Sequence, residues 1–395
     1  MSFLGQLRAL VWAVLDGVVI CLIKPAESQR HVLIVRPDAI GDFVLWSHAG
    51  RELCAHYKNQ GYSVVLLGNV MWAQWANDLG LCDEVWALDA NSFVRNLWYR
   101  WSWLWRLRRA GFAKVIHPVH SRQFLIGDAL VRATNAGECI APEGDLSNIR
   151  CWLKRWSDRW YSRLIPESSP HKMELQRHAE FMRSVGFSNF LAQAPVVTQS
   201  KAEALAAVVS RPYVVLVPGA GLERKCWSVE NFGEIGRRLI HSGFDVVLVG
   251  GHADCARADE VRKCMAGNVM DFVGKTTLAE LAELLRNAVV VVANDTSAAH
   301  IGAAVGSPVV CILGGGNYGR FFPYIVEKHD VSRPAPQVVV QYMPCFGCNW
   351  RCIYPREQSG AVKCISDISV EQVWCQLEQV LPARIGTQEP VKQDS

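Results

Sequence analysis

VVVVANDTSAAHIGAAVG, residues 289–306, contains the transition that decides the fold. Four β-branched valines in a row make a short apolar run, the pattern of a strand buried on both faces in a parallel sheet. Asn294, Asp295 and Thr296 break the run, and an Ala-rich stretch of helical character begins at once. Asp295 and Thr296 are both suited to cap that helix. The backbone N–H groups of Thr296, Ser297 and Ala298, at its positive end, form an anion site of the kind that holds a diphosphate. His300 lies one turn in. On position alone, Asp295 is equally well a plain cap and His300 a plain surface residue.

The same strand-to-helix transition repeats in both directions along the chain. Downstream, SPVVCILGG (residues 307–315) is another strand. Upstream, YVVLVPGAG (213–221) runs into a Gly-containing turn, a helix is expected over 230–242, and FDVVLVGG (244–251) follows. Further upstream, HVLIVRP (31–37), a helix over 42–57, SVVLLG (63–68) and AKVIHPV (113–119) make a first set. Strands alternating with helical patterns predict βαβ units and parallel sheets. The pattern weakens over 194–211, which predicts two doubly wound, Rossmann-like α/β domains. They are expected over 31–205 and 206–385, after an amphipathic segment 1–30 and before a flexible tail 386–395. Ligands are expected at the carboxyl ends of the strands, in an interdomain cleft.

The composition agrees. The chain has 395 residues, half of them hydrophobic and one-fifth charged, with a net charge of +4. That excludes disorder, collagen and a long coiled coil, and the charge by itself argues for no nucleic-acid partner. The apolar stretch 7–23 is broken by Asp16 and Gly17. It falls short of the roughly 20 apolar residues a membrane span needs. It is expected either to pack on the domain or to lie in a membrane interface. With no strongly basic leader and no small-residue cleavage site, the cytoplasm is the expected compartment.

Three turns carry the chemistry. In PGAGLERKC, Gly219 and Gly221 flank Ala220 and let a ligand approach the backbone closely, and Lys225 can neutralise phosphate without a metal. In RPDAIGD, Asp42 sits after the first strand, where a carboxylate acts either as a general base or as a helix cap. No GxGxxG fingerprint opens either half, nothing resembles a GxxxxGK[ST] loop, and no Asp-x-Asp occurs anywhere. These absences argue against a dinucleotide dehydrogenase, a P-loop enzyme, and the simplest divalent-metal site for a sugar nucleotide.

VLIVRPDAIGDFVL, PGAGLERKCWSVENFGEIGRRL, VVLVGG and TTLAELAELLRNAVVVVANDTSAAHIGAAVGSPVVCILG together resemble glycosyltransferase family 9, the heptosyltransferases of lipopolysaccharide core synthesis and their relatives. The resemblance covers most of residues 31–315. It implies a GT-B fold, inverting transfer without a catalytic cofactor, and a nucleotide-diphosphate sugar donor, typically ADP-heptose. Matched residue by residue, Asp42 resembles the family's general base and Lys225 its diphosphate-binding lysine. Asp295, Thr296, Ser297, Ala298 and His300 resemble its Asp-Thr/Ser-Gly-x-x-His loop, with Ser297 in place of the usual Gly. Asp254 falls where the acidic residue for the donor ribose is expected. The other functions weighed are a family relative using another sugar nucleotide or glycosylating a protein, a sugar-nucleotide 2-epimerase, and a non-enzymatic membrane-surface protein.

Two residue types are unusually frequent: 15 Trp and 14 Cys. Residues 94–122 hold four Trp and seven Arg or Lys with no acid, and 151–163 add Trp152, Trp156 and Trp160 among four more cations. Such segments suit an anionic membrane surface, single-stranded nucleic acid, or a core packed beneath a solvated basic face. A lipid-linked saccharide acceptor, implied by the resemblance, favours the membrane over nucleic acid. It places the enzyme peripherally on the inner face of the cytoplasmic membrane. His117, His120 and Arg122, after the third strand, are candidates for acceptor phosphate. Cys345, Cys348, Cys352 and Cys364 have the spacing of a four-thiolate knuckle for structural zinc or iron. The family's autotransporter-modifying branch is similar in carrying such an iron site. Disulfides are less expected there, and the ten scattered cysteines are expected to be small buried hydrophobes.

Overall fold

The computed structural model describes residues 3–169, 172–198, 212–355 and 360–382. Two compact units divide the chain, Met1–Ala192 and Gln193–Ser395. The boundary expected near residue 205 and the tail expected from 386 lie outside the described residues.

In the first unit, β1 (Gln29–Arg36), β2 (Ser63–Asn69), β3 (Glu84–Leu88), β4 (Phe112–Ile116), β5 (Glu138–Pro142) and β6 (Arg163–Ile165) form one sheet. Its order is β3-β2-β1-β4-β5-β6, and every pairing is parallel. In the second unit, β7 (Tyr213–Val217), β8 (Asp245–Leu248), β9 (Val269–Asp271), β10 (Val290–Asn294), β11 (Val309–Ile312) and β12 (Gln337–Val339) repeat the plan. The order there is β12-β11-β10-β7-β8-β9, again all parallel. Both sheets are doubly wound, the α/β architecture of the GT-B fold. Their order reverses between β1 and β4 and between β10 and β7, and the strand ends at those two places are where such sheets bind ligands.

The central strands are those the sequence marks most clearly, because helices cover both faces and every residue must be apolar. Val290–Asn294 is buried throughout, as is Tyr213–Val217. The strands that escaped the sequence reading, β3, β5, β6, β9 and β12, are short or lie toward the sheet edges, where three to five residues carry little periodicity. The helix expected from residue 42 begins earlier, at Ile40–Asn59, with Ala39 as an N-cap that makes no side-chain bond. Asp42 therefore lies in the first turn and is not the cap.

The cysteines need correction. Cys54 and Cys82 are disulfide-bonded, with Cα atoms 5.7 Å apart, because the helix Ile40–Asn59 lays Cys54 against the turn before β3. Cys21, Cys151 and Cys375 are exposed, so the reading of all ten as buried hydrophobes fails for these as well.

The apolar N-terminal stretch forms the helix Phe3–Leu22 and packs on the first unit. One stripe, Ala9, Ala13, Asp16 and Ile20, is buried. Asp16 survives there because Arg100 meets it: Arg100 Nε lies 2.8 and 2.9 Å from the two carboxylate oxygens. The same guanidinium donates to the Leu125 carbonyl at 2.8 Å and lies 4.3 Å from the Phe93 ring centre. Both charges are almost wholly removed from water, with side-chain exposures of 1% and 3%. Removing one partner strands the other in an apolar site, which costs about 3–5 kcal/mol. Urea unfolding of Asp16→Ala is expected to show a loss of that order, and Asp16→Leu/Arg100→Met to recover most of it. A loss below about 1 kcal/mol in the single variant would show that the pair does not hold the helix.

Candidate functional site

The second unit brings its two Gly- and Asp-bearing turns together because β7 and β10 are adjacent. Asn294, the last residue of β10, is completely buried. Its Nδ2 donates to the carbonyls of Pro218 and Gly219 at 2.8 and 3.3 Å, and its Oδ1 accepts from the Trp227 N–H at 3.0 Å. One side chain thus clamps both ends of the loop that carries Lys225. The Lys225 ammonium then lies 2.7 Å from Asp295 Oδ2 and 4.8 Å from the Trp350 ring centre. A cation held against a carboxylate and an indole is placed and partly desolvated before any anion arrives.

Thr296, and not Asp295, is the N-cap of the helix Ser297–Val305, and it makes no side-chain capping bond. Asp295 turns instead to Lys225. The helix therefore presents its first N–H groups without a side-chain acceptor across them, the condition for anion binding at a helix start. Asp254 reaches the same turn from β8: its Oδ2 accepts from the Gly251 N–H at 2.9 Å. A Cβ at position 219 would lie 2.2 Å from the Asp254 carboxyl group. The glycine expected to clear space for a ligand clears it for Asp254, whereas Gly221 faces open space.

His300 is buried and stacks on Phe322, with ring centres 4.2 Å apart and planes 3° from parallel. Its Nδ1 lies 2.9 Å from the Tyr324 hydroxyl. Burial pushes its pKa down to about 4, with Lys225 adding to the fall and Asp295 opposing it, so the ring is neutral at pH 7.

In the first unit, Arg36 ends β1 and is buried. It donates to the Pro118 carbonyl at 2.8 Å and to the Asp42 carbonyl at 3.1 Å, and pairs with Asp38 at 3.1 Å. Burial raises the Asp38 pKa against the opposing pull of Arg36, and Glu174 adds to the rise. Among the described residues, Arg36 Nε and Asp38 Oδ1 are buried without a hydrogen-bond partner. Asp42 is half-buried beside this pair. His120 lies 2.5 Å from Glu167 and 3.5 Å from Asp145. Burial works against its charge, but the two carboxylates outweigh it and raise the pKa. Arg122 is buried and committed to Asp158, to Asp128 at 3.5 Å and to the Glu143 carbonyl at 3.1 Å. His117 is held neutral by burial and by the cations Arg122 and Arg36, with its Nδ1 2.8 Å from the Tyr161 hydroxyl.

Cys345, Cys348, Cys352 and Cys364 line one small cavity with Trp350 and Tyr354. Four thiols facing one space suit zinc or iron in donor chemistry. Among the described residues, no group of three or more His, Cys, Asp or Glu side chains is placed to hold an ion. The segment docks on the Lys225 loop: Arg224 donates to the Trp350 carbonyl at 3.0 Å, and the Val362 N–H to the Arg224 carbonyl at 3.2 Å. Glycines after β11 make the fit possible, since a Cβ at Gly315 or Gly316 would meet Phe346 or Trp350 at 2.2 or 2.3 Å.

Sequence reading missed Asn294, Trp350, Arg36 and Asp38. A signal existed for two of them: Asn294 and Arg36 are polar residues ending fully apolar strands, where a polar side chain needs a partner. Trp350 offered none, because its contacts arise from segments 126 residues apart.

The sequence pattern of glycosyltransferase family 9 (heptosyltransferase) matches residues 163–345. Lipopolysaccharide heptosyltransferase 3 of Escherichia coli K12 is 27% identical over 232 residues, which cover 56% of this chain and 63% of that relative, under two thirds of its length. The E. coli ADP-heptose lipopolysaccharide heptosyltransferase II structure is similar with a TM-score of 0.66 at 16% identity, covering 89% of this chain and 98% of that one. The dodecameric iron-containing heptosyltransferase TibC, solved with ADP-D-β-D-heptose, is similar with a TM-score of 0.52 at 14% identity, covering 90% and 77%. At these identities the structural likenesses establish the GT-B fold.

His300 makes stability depend on pH. Its folded pKa is near 4 against an ordinary 6.5, so between those values the unfolded chain takes up a proton that the folded chain refuses. Stability is full above pH 6.5 and is lost as the pH falls toward 4, by up to about 3 kcal/mol for this group. His300→Phe is expected to flatten that slope in urea titrations across the window. An unchanged slope would show that the histidine titrates alike in the folded and unfolded chain.

Proposed function

We propose, on the likeness to glycosyltransferase family 9, that the chain transfers heptose from ADP-heptose, or a related sugar from its own nucleotide diphosphate, to a lipid-linked saccharide of lipopolysaccharide type. The observation that carries the reading is the Lys225–Asp295 pair at the uncapped start of the helix Ser297–Val305. A cation and free N–H groups converge where a diphosphate would sit, and they supply its charge compensation without a divalent metal. Asp254, placed against Gly219, is suited to a ribose hydroxyl.

In this reading Asp42 takes the proton from the acceptor hydroxyl, whose oxygen attacks the anomeric carbon on the face opposite the diphosphate. The carbon–oxygen bond to the diphosphate breaks with inversion, and Lys225 and the helix start hold the charge that leaves. The unpartnered Arg36 Nε and Asp38 Oδ1 beside Asp42 favour a polar acceptor there. Carboxylates engage both His120 and Arg122, but His120 also lines a cavity together with Arg177, which makes it the better candidate of the two for further acceptor contact. Peripheral work on the inner face of the cytoplasmic membrane follows from a lipid-linked acceptor.

Binding of ADP-, UDP- and GDP-sugars by calorimetry, followed by transfer assays, tests the reading. ADP-sugar is expected to bind most tightly, and Lys225→Ala to weaken it by about 10-fold or more through loss of a charge-assisted contact. Asp42→Asn is expected to keep donor binding and lose turnover by about 10²–10⁴-fold. Near-wild-type turnover in Asp42→Asn would refute the base assignment, and a preference for UDP- or GDP-sugar would refute the donor.

We further assign the four cysteines to a structural zinc or iron, supported by their shared cavity and by iron in a fold neighbour. Cys345, Cys348, Cys352 and Cys364 would be its ligands. Four thiolates leave no open coordination position, so the ion would fix the segment carrying Trp350 and take no part in transfer. Purified protein is expected to carry about one ion per chain, lost in Cys345→Ser together with part of the donor affinity. A metal content near zero in both proteins would remove the assignment.

A further inference from the structure

The helix Phe3–Leu22 is apolar on both sides, yet only one side is used. Opposite its buried stripe, Leu10, Val11, Val14, Leu15, Val18 and Leu22 face outward, with Val14 54%, Val18 55% and Leu22 81% exposed. Its only acid, Asp16, is buried against Arg100. Among the described residues, no helix is long and apolar enough to cross a membrane. Half of this helix's circumference is already packed on protein, so it cannot be surrounded by lipid.

What flanks the apolar strip is specific. The helix Leu97–Arg109 runs beside it in parallel, as three contacts in register indicate: Arg8 with the Val94 carbonyl, Arg100 with Asp16, and Arg108 with the Ile23 carbonyl at 3.4 Å. That helix turns Trp98, 80% exposed, and Trp105 outward. Leu153 of the helix Cys151–Ser157 shares a buried cluster with Ala9, Ala13 and Phe124, and Trp152 of the same helix is exposed. Arg8 and Lys24 at the two ends of the N-terminal segment, Arg95 and Arg109 before and in the neighbouring helix, and Arg155 and Arg159 just after Leu153 are exposed. The basic stretch 94–122 contains no acid.

We propose that the outer face of the helix Phe3–Leu22, with its flanking tryptophans and arginines, docks the chain on an anionic lipid bilayer. The strip lies in the bilayer plane with its valines and leucines among acyl chains, the indoles at headgroup depth and the guanidinium groups on lipid phosphate. Charge selects this occupant over a second copy of the chain, since a self-complementary interface would bring the two basic rims against each other. The inference deepens the proposed function by naming the surface on which a lipid-linked acceptor would be met, and it rests on that reading.

Co-sedimentation of the full chain with vesicles tests it, comparing pure phosphatidylcholine with phosphatidylcholine containing roughly one-third phosphatidylglycerol. Binding to the anionic vesicles is expected at about 50 mM salt, falling several-fold at about 500 mM, with little binding to neutral vesicles. Val14→Glu/Val18→Glu is expected to weaken binding at least 10-fold, and Trp98→Ala a few-fold. Thermal unfolding and ADP-sugar binding of each variant, measured without vesicles, establish that it is folded. If the double variant does not fold, Trp98→Ala and the salt series decide. Wild-type chain that stays off anionic vesicles, or folded variants that bind them unchanged, would overturn the proposal. So would a solution dimer that the double variant dissociates while neither form binds lipid. Donor binding in vesicle-free buffer reports on the proposed transferase alone, so the two readings fail separately.

Discussion

The buried amide of Asn294 is the constraint on which the second unit's site depends. A primary amide in an apolar interior must satisfy both its ends or lose the free energy of their hydration. Here it does so only by drawing in the Pro218 and Gly219 carbonyls and the Trp227 N–H. The loop between those contacts has little freedom left, and Lys225 is on it. From that one satisfied amide follow the Lys225–Asp295 pair, the release of Asp295 from capping duty, and the open start of the helix behind it.

The first unit solves the same problem with a charge. Arg36 ends β1 as Asn294 ends β10, and it too bridges loops from neighbouring strands, joining the Pro118 carbonyl beyond β4 to the Asp42 carbonyl beyond β1. In both sheets the last residue of a central strand is polar, buried and spent on backbone carbonyls at the point where strand order reverses. The functional side chains are then carried by loops that a rigid sheet holds in place.

What the sequence made legible follows from this layout. Fully buried strands such as Val290–Asn294 announce themselves because burial on both faces excludes polar residues, and the turn motifs stand out against them. Asp42, Lys225 and Asp295 stood out in the sequence as polar residues in the turns after buried strands, and Asp254 only through the family resemblance. Their partners were less so. Whether Asp295 caps a helix or meets a lysine depends on a residue 70 positions away, and the indole over Lys225 depends on glycines after a different strand. The tryptophan-rich stretches were ambiguous for a similar reason. Trp103 is buried and Trp98 is exposed on the same helix, and only the neighbouring helix Phe3–Leu22 settles which side faces inward.

The contact between Gly219 and Asp254 has a consequence for how this chain can drift. The carboxyl group of residue 254 fills the volume that any side chain at 219 would need. It is held there by the Gly251 N–H. Enlarging 219 would expel the acid, and lengthening 254 would press on a backbone that the buried amide of Asn294 holds. The two turns are thus coupled by one filled volume, which a side chain at 219 and the carboxyl group at 254 cannot occupy together.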